Sequence, residues 1–161
     1  MNKRPTIVIG MVAGLIWAFA VIGGAMRLNM PFVPAPVALL GAFFPGGLVT
    51  CAMIGRLAQR RFFDDEIIDG QGFTPGSAAS IDQKVLTNTI EQMVLALAIW
   101  PFVALTLGGQ VIIAMGLAFA VARVLFWVGY HMSPPLRGFG FAATFYTTGV
   151  AALWSLVVWA F

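Results

Sequence analysis

The sequence predicts an all-α integral membrane protein with five transmembrane helices. Hydrophobic residues make up 60% of its 161 residues, and charged residues only 9%. A soluble domain has about 25% charged residues, so this chain lacks the polar groups needed to cover a surface that faces water. Its apolar residues form long runs, and about 20 such residues are enough to cross the hydrocarbon core of a bilayer as a helix. The length allows a single membrane domain, residues 1–161.

The first predicted span covers residues 5–26, which carry no charge and follow Lys3 and Arg4. The run is longer than the apolar core of a signal peptide, which has about 7–15 residues. No clean A-x-A cleavage site follows it, so we expect the run to persist as a membrane helix. Gly10 and Gly14 form a G-x-x-x-G pattern, a spacing that allows close helix packing.

The second span is predicted over residues 37–54, after a proline-rich turn over 27–36. The Pro45-Gly46-Gly47 sequence inside it is expected to kink the helix. A polar, irregular loop then covers residues 56–82, because glycine and proline recur there.

The third span begins at a predicted capping box, Ser80-Ile-Asp-Gln83. Pro101 should bend this helix near its far end. A tight turn over residues 107–110 leads to the fourth span, 111–131. Ser133, followed by two prolines, is typical of an N-cap with proline in the first turn, so the last span covers residues 136–161.

Basic residues collect at one end of these five spans. By the positive-inside rule this end is cytoplasmic, and we expect a protein of the bacterial inner membrane with a cytoplasmic N-terminus. The basic residues do not form a patch with interleaved aromatics, which argues against nucleic-acid binding. Eight lie at this end and only Arg27 at the other; the eight are Lys3, Arg4, Arg56, Arg60, Arg61, Lys84, Arg123 and Arg137.

Two polar helical faces could carry chemistry. Lys84, Asn88 and Glu91 follow i, i+4, i+7 spacing on the third span, and Arg123 and Tyr130 share a face of the fourth. A carboxylate inside an apolar run needs a cation or several donors. One interpretation is therefore a structural ion pair between Glu91 and Arg123 that locks two helices together.

Arg137 favours a binding site instead. It lies in the first turn of the last predicted helix, where the helix dipole disfavours a cation. Together with the free N–H groups of that turn it would form an electropositive pocket for an anion. The alternative is a topology charge that reaches the headgroups. A metal site is not predicted, because His131 is the only histidine and the acidic residues lack ligand spacing.

The chain resembles the MAPEG family, the membrane-associated proteins of eicosanoid and glutathione metabolism, which includes the microsomal glutathione transferases. The resemblance covers residues 37–161. It rests on K-x-x-x-N-x-x-E at Lys84, Asn88 and Glu91, and on A-R-x-x-x-x-x-G-Y ending at Tyr130, with Arg137 seven residues later.

The resemblance implies a four-helix bundle, residues 37–161, that forms a homotrimer, and residues 5–26 would be an extra N-terminal helix. It also implies glutathione as co-substrate between subunits at the cytoplasmic side. The implied binding residues are Lys84, Asn88, Glu91, Arg123 and Tyr130, with Arg60 or Arg61 as further basic residues.

Arg137 aligns with the arginine that activates the glutathione thiol in this family. The thiolate is the nucleophile, and a nearby arginine lowers the pKa of a thiol. The implied activity is conjugation to, or reduction of, a lipophilic electrophile that arrives from the bilayer.

The alternative is a non-catalytic lipid-binding or scaffold protein of the same fold. Phe126 and Gln92 favour it, because each stands where some members have tyrosine. A transporter fits less well, because the charged groups cluster at one end rather than at the midplane.

Overall fold

The computed structural model describes residues 3–28 and 31–161, with side chains from Pro5 onward. All five helices are long and apolar enough to cross a membrane. This agrees with the prediction of an all-α membrane protein of five spans. In chain order they are α1 (Lys3–Arg27), α2 (Ala35–Phe62), α3 (Ala78–Leu107), α4 (Gly109–Met132) and α5 (Pro134–Ala160).

The end of α2 and the start of α3 differ most in kind from the sequence prediction, while α2, α4 and α5 begin two residues earlier than predicted. The helix α2 extends to Phe62, so Arg56, Arg60 and Arg61 belong to its last turns rather than to the loop. The capping box at Ser80 was wrong, because the N-cap of α3 is Ser77, whose side chain accepts a hydrogen bond from the backbone N–H of Ser80. Capping three residues earlier adds Ala78, Ala79 and Ser80 to the helix.

Single residues join the last three helices. Gly108 links α3 to α4 with a φ of 95°, a left-handed conformation that favours glycine. Ser133 links α4 to α5 and is the N-cap of α5, as predicted, with proline in the first turn but no side-chain capping bond. The predicted turn over 27–36 includes residues 29 and 30, which lie outside the described part of the chain.

The first helix packs along α5, and the two run parallel. A Cβ atom at Gly10 would lie 2.7 Å from the backbone N of Phe139, and one at Gly14 would lie 2.5 Å from the Cβ of Ala142. The G-x-x-x-G pattern therefore marks a real helix contact. Residues 5–26 belong to the bundle through this contact, and the division into four family helices and one extra helix stays a prediction.

The helix α4 lies at the centre of the bundle, and more than half of its most apolar stretch is buried. Gly116 allows the backbone of α2 to approach at Ala42, and Gly129 does the same for α5 at Arg137. Near the other end, Trp100 stacks on Phe43 and donates a hydrogen bond to Thr148. This packing fixes the position of the α4 side chains that line the site.

The alternating helix directions bring five helix termini to one end. There α1 and α3 begin, α2 and α4 end, and α5 begins. We call this the basic end, because Arg56, Arg60 and Arg137 lie here. The side chains of Lys3 and Arg4 lie outside the described residues.

Candidate functional site

A cavity of about 510 Å³ opens at the basic end between α1, α3, α4 and α5. This volume is within the range of about 300–1,000 Å³ found for small-molecule sites. We call it the Arg137 cavity. Its lining combines three polar side chains with apolar ones from three helices: Ile7, Met11, Asn88, Phe126, Tyr130, Arg137, Gly138 and Phe141.

Arg137 is half-buried in this cavity, in the first turn of α5. Its guanidinium lies 5.0 Å from the centre of the Tyr130 ring. Among the described residues it forms no salt bridge, since the two that occur join Asp82 to Arg60 and to His131. An unpaired cation beside the positive end of a helix dipole makes the cavity attractive to an anion.

Arg123 lies beneath the cavity and has no exposed surface. Its guanidinium donates to Asn88 Oδ1 at 2.9 Å, to the Gly140 carbonyl at 2.9 Å and to Thr144 Oγ1 at 2.6 Å. It also lies 4.3 Å from the centre of the Phe126 ring. All these partners are neutral, so a buried cation is held by hydrogen bonds and a ring face.

The direct ion pair between Glu91 and Arg123 is absent from the described residues. Asn88 stands between the two instead: it accepts from Arg123 and donates from Nδ2 to Glu91 Oε2 at 3.1 Å. These two hydrogen bonds fix the orientation of the Asn88 amide.

Glu91 and Lys84 lie on the outer surface of α3, and both are exposed. Lys84 does not line the cavity. Of the six predicted site residues, Asn88, Tyr130 and Arg137 therefore line the Arg137 cavity. Arg123 and Glu91 connect to it through Asn88, and Lys84 stays apart.

Phe126 and Gln92, which stand where some family members have tyrosine, lie in different surroundings. Phe126 lines the cavity and packs edge-on against Tyr130, with ring centres 5.0 Å apart. Gln92 is buried and is not part of the lining. The wall therefore offers one phenol, that of Tyr130.

Sequence reasoning missed the contribution of α1 to this cavity. Ile7 and Met11 lie one helical turn apart and form an apolar wall facing Arg137 and Tyr130. The G-x-x-x-G pattern that begins at Gly10 was the signal in the sequence, because close packing of Gly10 on α5 brings Ile7 and Met11 to the cavity.

A second polar cluster, also missed, surrounds Asp82, which is only 2% exposed. Its Oδ2 accepts from Arg60 Nε at 2.6 Å, and its Oδ1 accepts from Trp127 Nε1 at 2.7 Å. His131 Nε2 also lies 2.7 Å from Oδ1. The i, i+4 spacing of Trp127 and His131 was the signal in the sequence. Arg60 is thus engaged with Asp82, while Arg61 donates to the Ile67 and Gln71 carbonyls.

Comparison with known proteins identifies the family. The sequence model of the MAPEG family matches residues 7–157, nearly the whole chain. The match begins inside α1, so it is wider than residues 37–161, on which the resemblance rested. No curated protein and no solved structure gives a significant match. A match of this extent shows that the chain belongs to the MAPEG family.

Proposed function

We propose that the chain is a glutathione-dependent membrane enzyme that uses the Arg137 cavity. Glutathione carries two carboxylates and a thiol, so it needs cationic and amide groups to bind. The observation that carries the proposal is Arg137, a half-buried arginine without a carboxylate partner among the described residues, on the wall of a ligand-sized cavity. Arginines within membrane-spanning helices are normally paired, so one without a carboxylate partner is a candidate for ligand binding.

In this proposal Arg137 stabilises the thiolate, and Tyr130 holds the guanidinium through its ring face. Asn88 contacts the peptide part of glutathione. Arg123 acts as a positioning residue, because it is fully buried and fixes the Asn88 amide. Removing the positive charge at 137 would cost about 1.4 kcal/mol for each unit by which the thiol pKa rises.

The second substrate is a lipophilic electrophile. Ile7, Met11 and Phe141 form an apolar wall, and Met11 and Phe141 are about 40% exposed toward the surface that lipid would cover. An apolar compound dissolved in the bilayer can therefore reach the thiolate without crossing water. In conjugation, the thiolate sulfur would bond to the electrophilic carbon while a leaving group departs, or would add to an activated double bond that then takes up a proton. In reduction, two glutathione molecules would supply two electrons to a hydroperoxide, giving an alcohol, water and glutathione disulfide.

We further propose that the chain is a homotrimer. Lys84 and Glu91 form an exposed polar stripe on the outer face of α3, a helix long and apolar enough to cross a membrane. Charged groups facing lipid are costly, so a neighbouring copy that covers this stripe would stabilise it and bring Lys84 and Glu91 to a subunit interface. The positive-inside rule places the basic end of the trimer in the cytoplasm.

The test uses the full chain in detergent or nanodiscs. Arg137→Ala should abolish the ultraviolet thiolate absorbance that appears when glutathione binds, while Arg137→Lys should retain part of it. Arg27→Ala, which removes an exposed cation from the opposite end, serves as the control. If the thiolate signal of Arg137→Ala equals that of the wild type, Arg137 does not activate the thiol.

A non-catalytic lipid-binding or scaffold function is the second candidate, and Phe126 favours it. A phenylalanine at this position removes one hydroxyl donor from the cavity wall. Calorimetric titration with glutathione separates the two: heat of binding at millimolar glutathione supports the enzyme, and its absence supports the scaffold.

A further inference from the structure

A second cavity, of about 470 Å³, lies at the basic end between α2, α3 and α4. We call it the Asp82 cavity, and it shares no lining residue with the Arg137 cavity. It is lined by Arg56, Arg60, Asp82, Val124, Trp127, Val128, His131 and Met132.

The polar part of this cavity carries an excess of positive charge. The carboxylate of Asp82 is engaged with Arg60, Trp127 and His131. Arg56 has no carboxylate partner among the described residues, and its Nη1 donates only to the neutral side chain of Gln59 at 2.8 Å. The guanidinium of Arg56 therefore has no counter-charge in the described part of the chain. The other polar side chains of the cavity wall are held in place by their hydrogen bonds to Asp82.

The apolar part of the cavity is a strip along α4. Val124, Val128 and Met132 follow i, i+4, i+8 spacing, and they are 43%, 39% and 78% exposed. Val124 lies seven residues before His131, so the strip extends about 10 Å along α4 from the polar end of the cavity toward the middle of the helix. A cationic end at the interface above an apolar strip matches a phospholipid, with its phosphate at Arg56 and one acyl chain along α4.

We propose that the Asp82 cavity binds an anionic phospholipid of the leaflet that faces the basic end. A soluble phosphate ester fits less well, for two reasons. A polar ligand has no apolar part that could cover the strip. In addition, Asp64 and Glu66 line a neighbouring cavity that shares Arg56 and Arg60. These two carboxylates repel anions that approach through water, whereas a lipid arrives laterally from the membrane.

The role of Asp82 in this site is to position the cation and the aromatic wall. Its two oxygens connect α2, through Arg60, to α4, through Trp127 and His131. The spacing between Arg56 and the apolar strip is thereby fixed, and a headgroup and an acyl chain can be engaged together.

Native mass spectrometry of the full chain, with phosphatidylglycerol and phosphatidylcholine of identical acyl chains, tests the proposal. The wild type should retain phosphatidylglycerol, and Arg56→Gln should lower its occupancy several-fold. Arg27→Gln is the matched control, because it removes the same charge from an exposed side chain at the opposite end, away from both cavities. Val128→Trp fills the strip without a change of charge and should also lower the occupancy.

Four results would overturn the proposal. Equal loss of lipid in Arg56→Gln and Arg27→Gln would mean attraction to net charge alone. Equal retention of phosphatidylcholine would remove the role of the anionic headgroup. Displacement of the lipid by millimolar inorganic phosphate would indicate a soluble anion as ligand. Dissociation of an oligomer by Val128→Trp would show that a second copy of the chain covers the strip. If Arg56→Gln does not fold, as judged by circular dichroism, the outcome for Val128→Trp decides.

Discussion

Arg123 is a fully buried cation whose hydrogen-bond partners are all neutral. Three acceptors and the ring face of Phe126 replace the carboxylate that a buried arginine usually pairs with. The arrangement works because the acceptors come from α3 and α5, on both sides of α4. Arg123 thus connects three helices and orients Asn88 at the same time.

Thr144 supplies the shortest of these hydrogen bonds, at 2.6 Å. We expect Thr144→Val to lower the free energy of unfolding by about 1–3 kcal/mol, because a buried charged donor loses its partner. Thr147→Val is the control, since the Thr147 hydroxyl donates only to the Ala143 carbonyl of its own helix. Unfolding of the purified protein in mixed micelles measures both, and an equal loss in the two variants would contradict this role of Thr144.

Particular residues show how far the sequence determines the site. Helical spacing alone placed Asn88 with Glu91, and Arg123 with Tyr130, on common faces. The approach of Arg137 to Tyr130 depends on the contact between Gly129 and the α5 backbone. Spacing along one helix contains no information on that contact. For the same reason the direct pair of Glu91 with Arg123 was a plausible expectation, and only the packing shows Asn88 between them.

The helix α1 forms one wall of the Arg137 cavity, a part in the site that the sequence did not predict. It can do so because glycines at positions 10 and 14 let its backbone approach α5. The length and hydropathy of residues 5–26 predicted the helix, but not where it docks. The position at which α1 docks depends on the surface shape of α5, and this shape cannot be derived from a single sequence.

A larger residue at Gly14 should push α1 away from α5. We expect Gly14→Leu to destabilise the protein by about 1–3 kcal/mol, the usual cost of overpacking, and to reduce glutathione conjugation, because the wall moves with the helix. Gly23→Leu is the matched control, since a Cβ at Gly23 meets nothing within 4 Å. Thermal unfolding and conjugation rates measure the two effects, and similar values for both variants would rule out tight docking at Gly14.

The apolar wall on α1 should also set the preference for the electrophile. Met11→Trp narrows the Arg137 cavity, so we expect KM for a bulky lipophilic electrophile to rise several-fold while the Kd of glutathione stays constant. Val12→Trp, on an exposed neighbour that does not line the cavity, serves as the control. A change in glutathione affinity without a change in KM would instead place Met11 beside the tripeptide.

At the scale of the whole molecule, the polar stripe of Lys84 and Glu91 faces outward from a bundle whose other outer surfaces are mainly apolar. The proposed trimer would cover this stripe with a neighbouring copy of the chain. The sequence predicted a charged face on α3. Only the packing of α3 on α4 shows that Asn88 is the residue of that face that points inward.

Reversal of one charge in the stripe should weaken the assembly. We expect Glu91→Lys to shift the protein from trimer toward smaller species, as measured by native mass spectrometry or light scattering in detergent. Glu66→Lys makes the same change of charge in the loop between α2 and α3 and should leave the trimer intact. A wild-type protein that is monomeric under mild conditions would exclude the proposed trimer.

The one-residue joints at Gly108 and Ser133 also limit how the chain can be engineered. An inserted tag, a protease site or a break in the chain would interrupt a connection of one residue, so we expect both joints to tolerate such changes poorly. The segment between Phe62 and Ala78 is the long connection among the described residues and therefore the natural place to divide the protein. One co-expressed fragment would then contain α1 and α2, and the other would contain α3, α4 and α5. Their reassembly would depend on the docking of α1 against α5, which belongs to the other fragment.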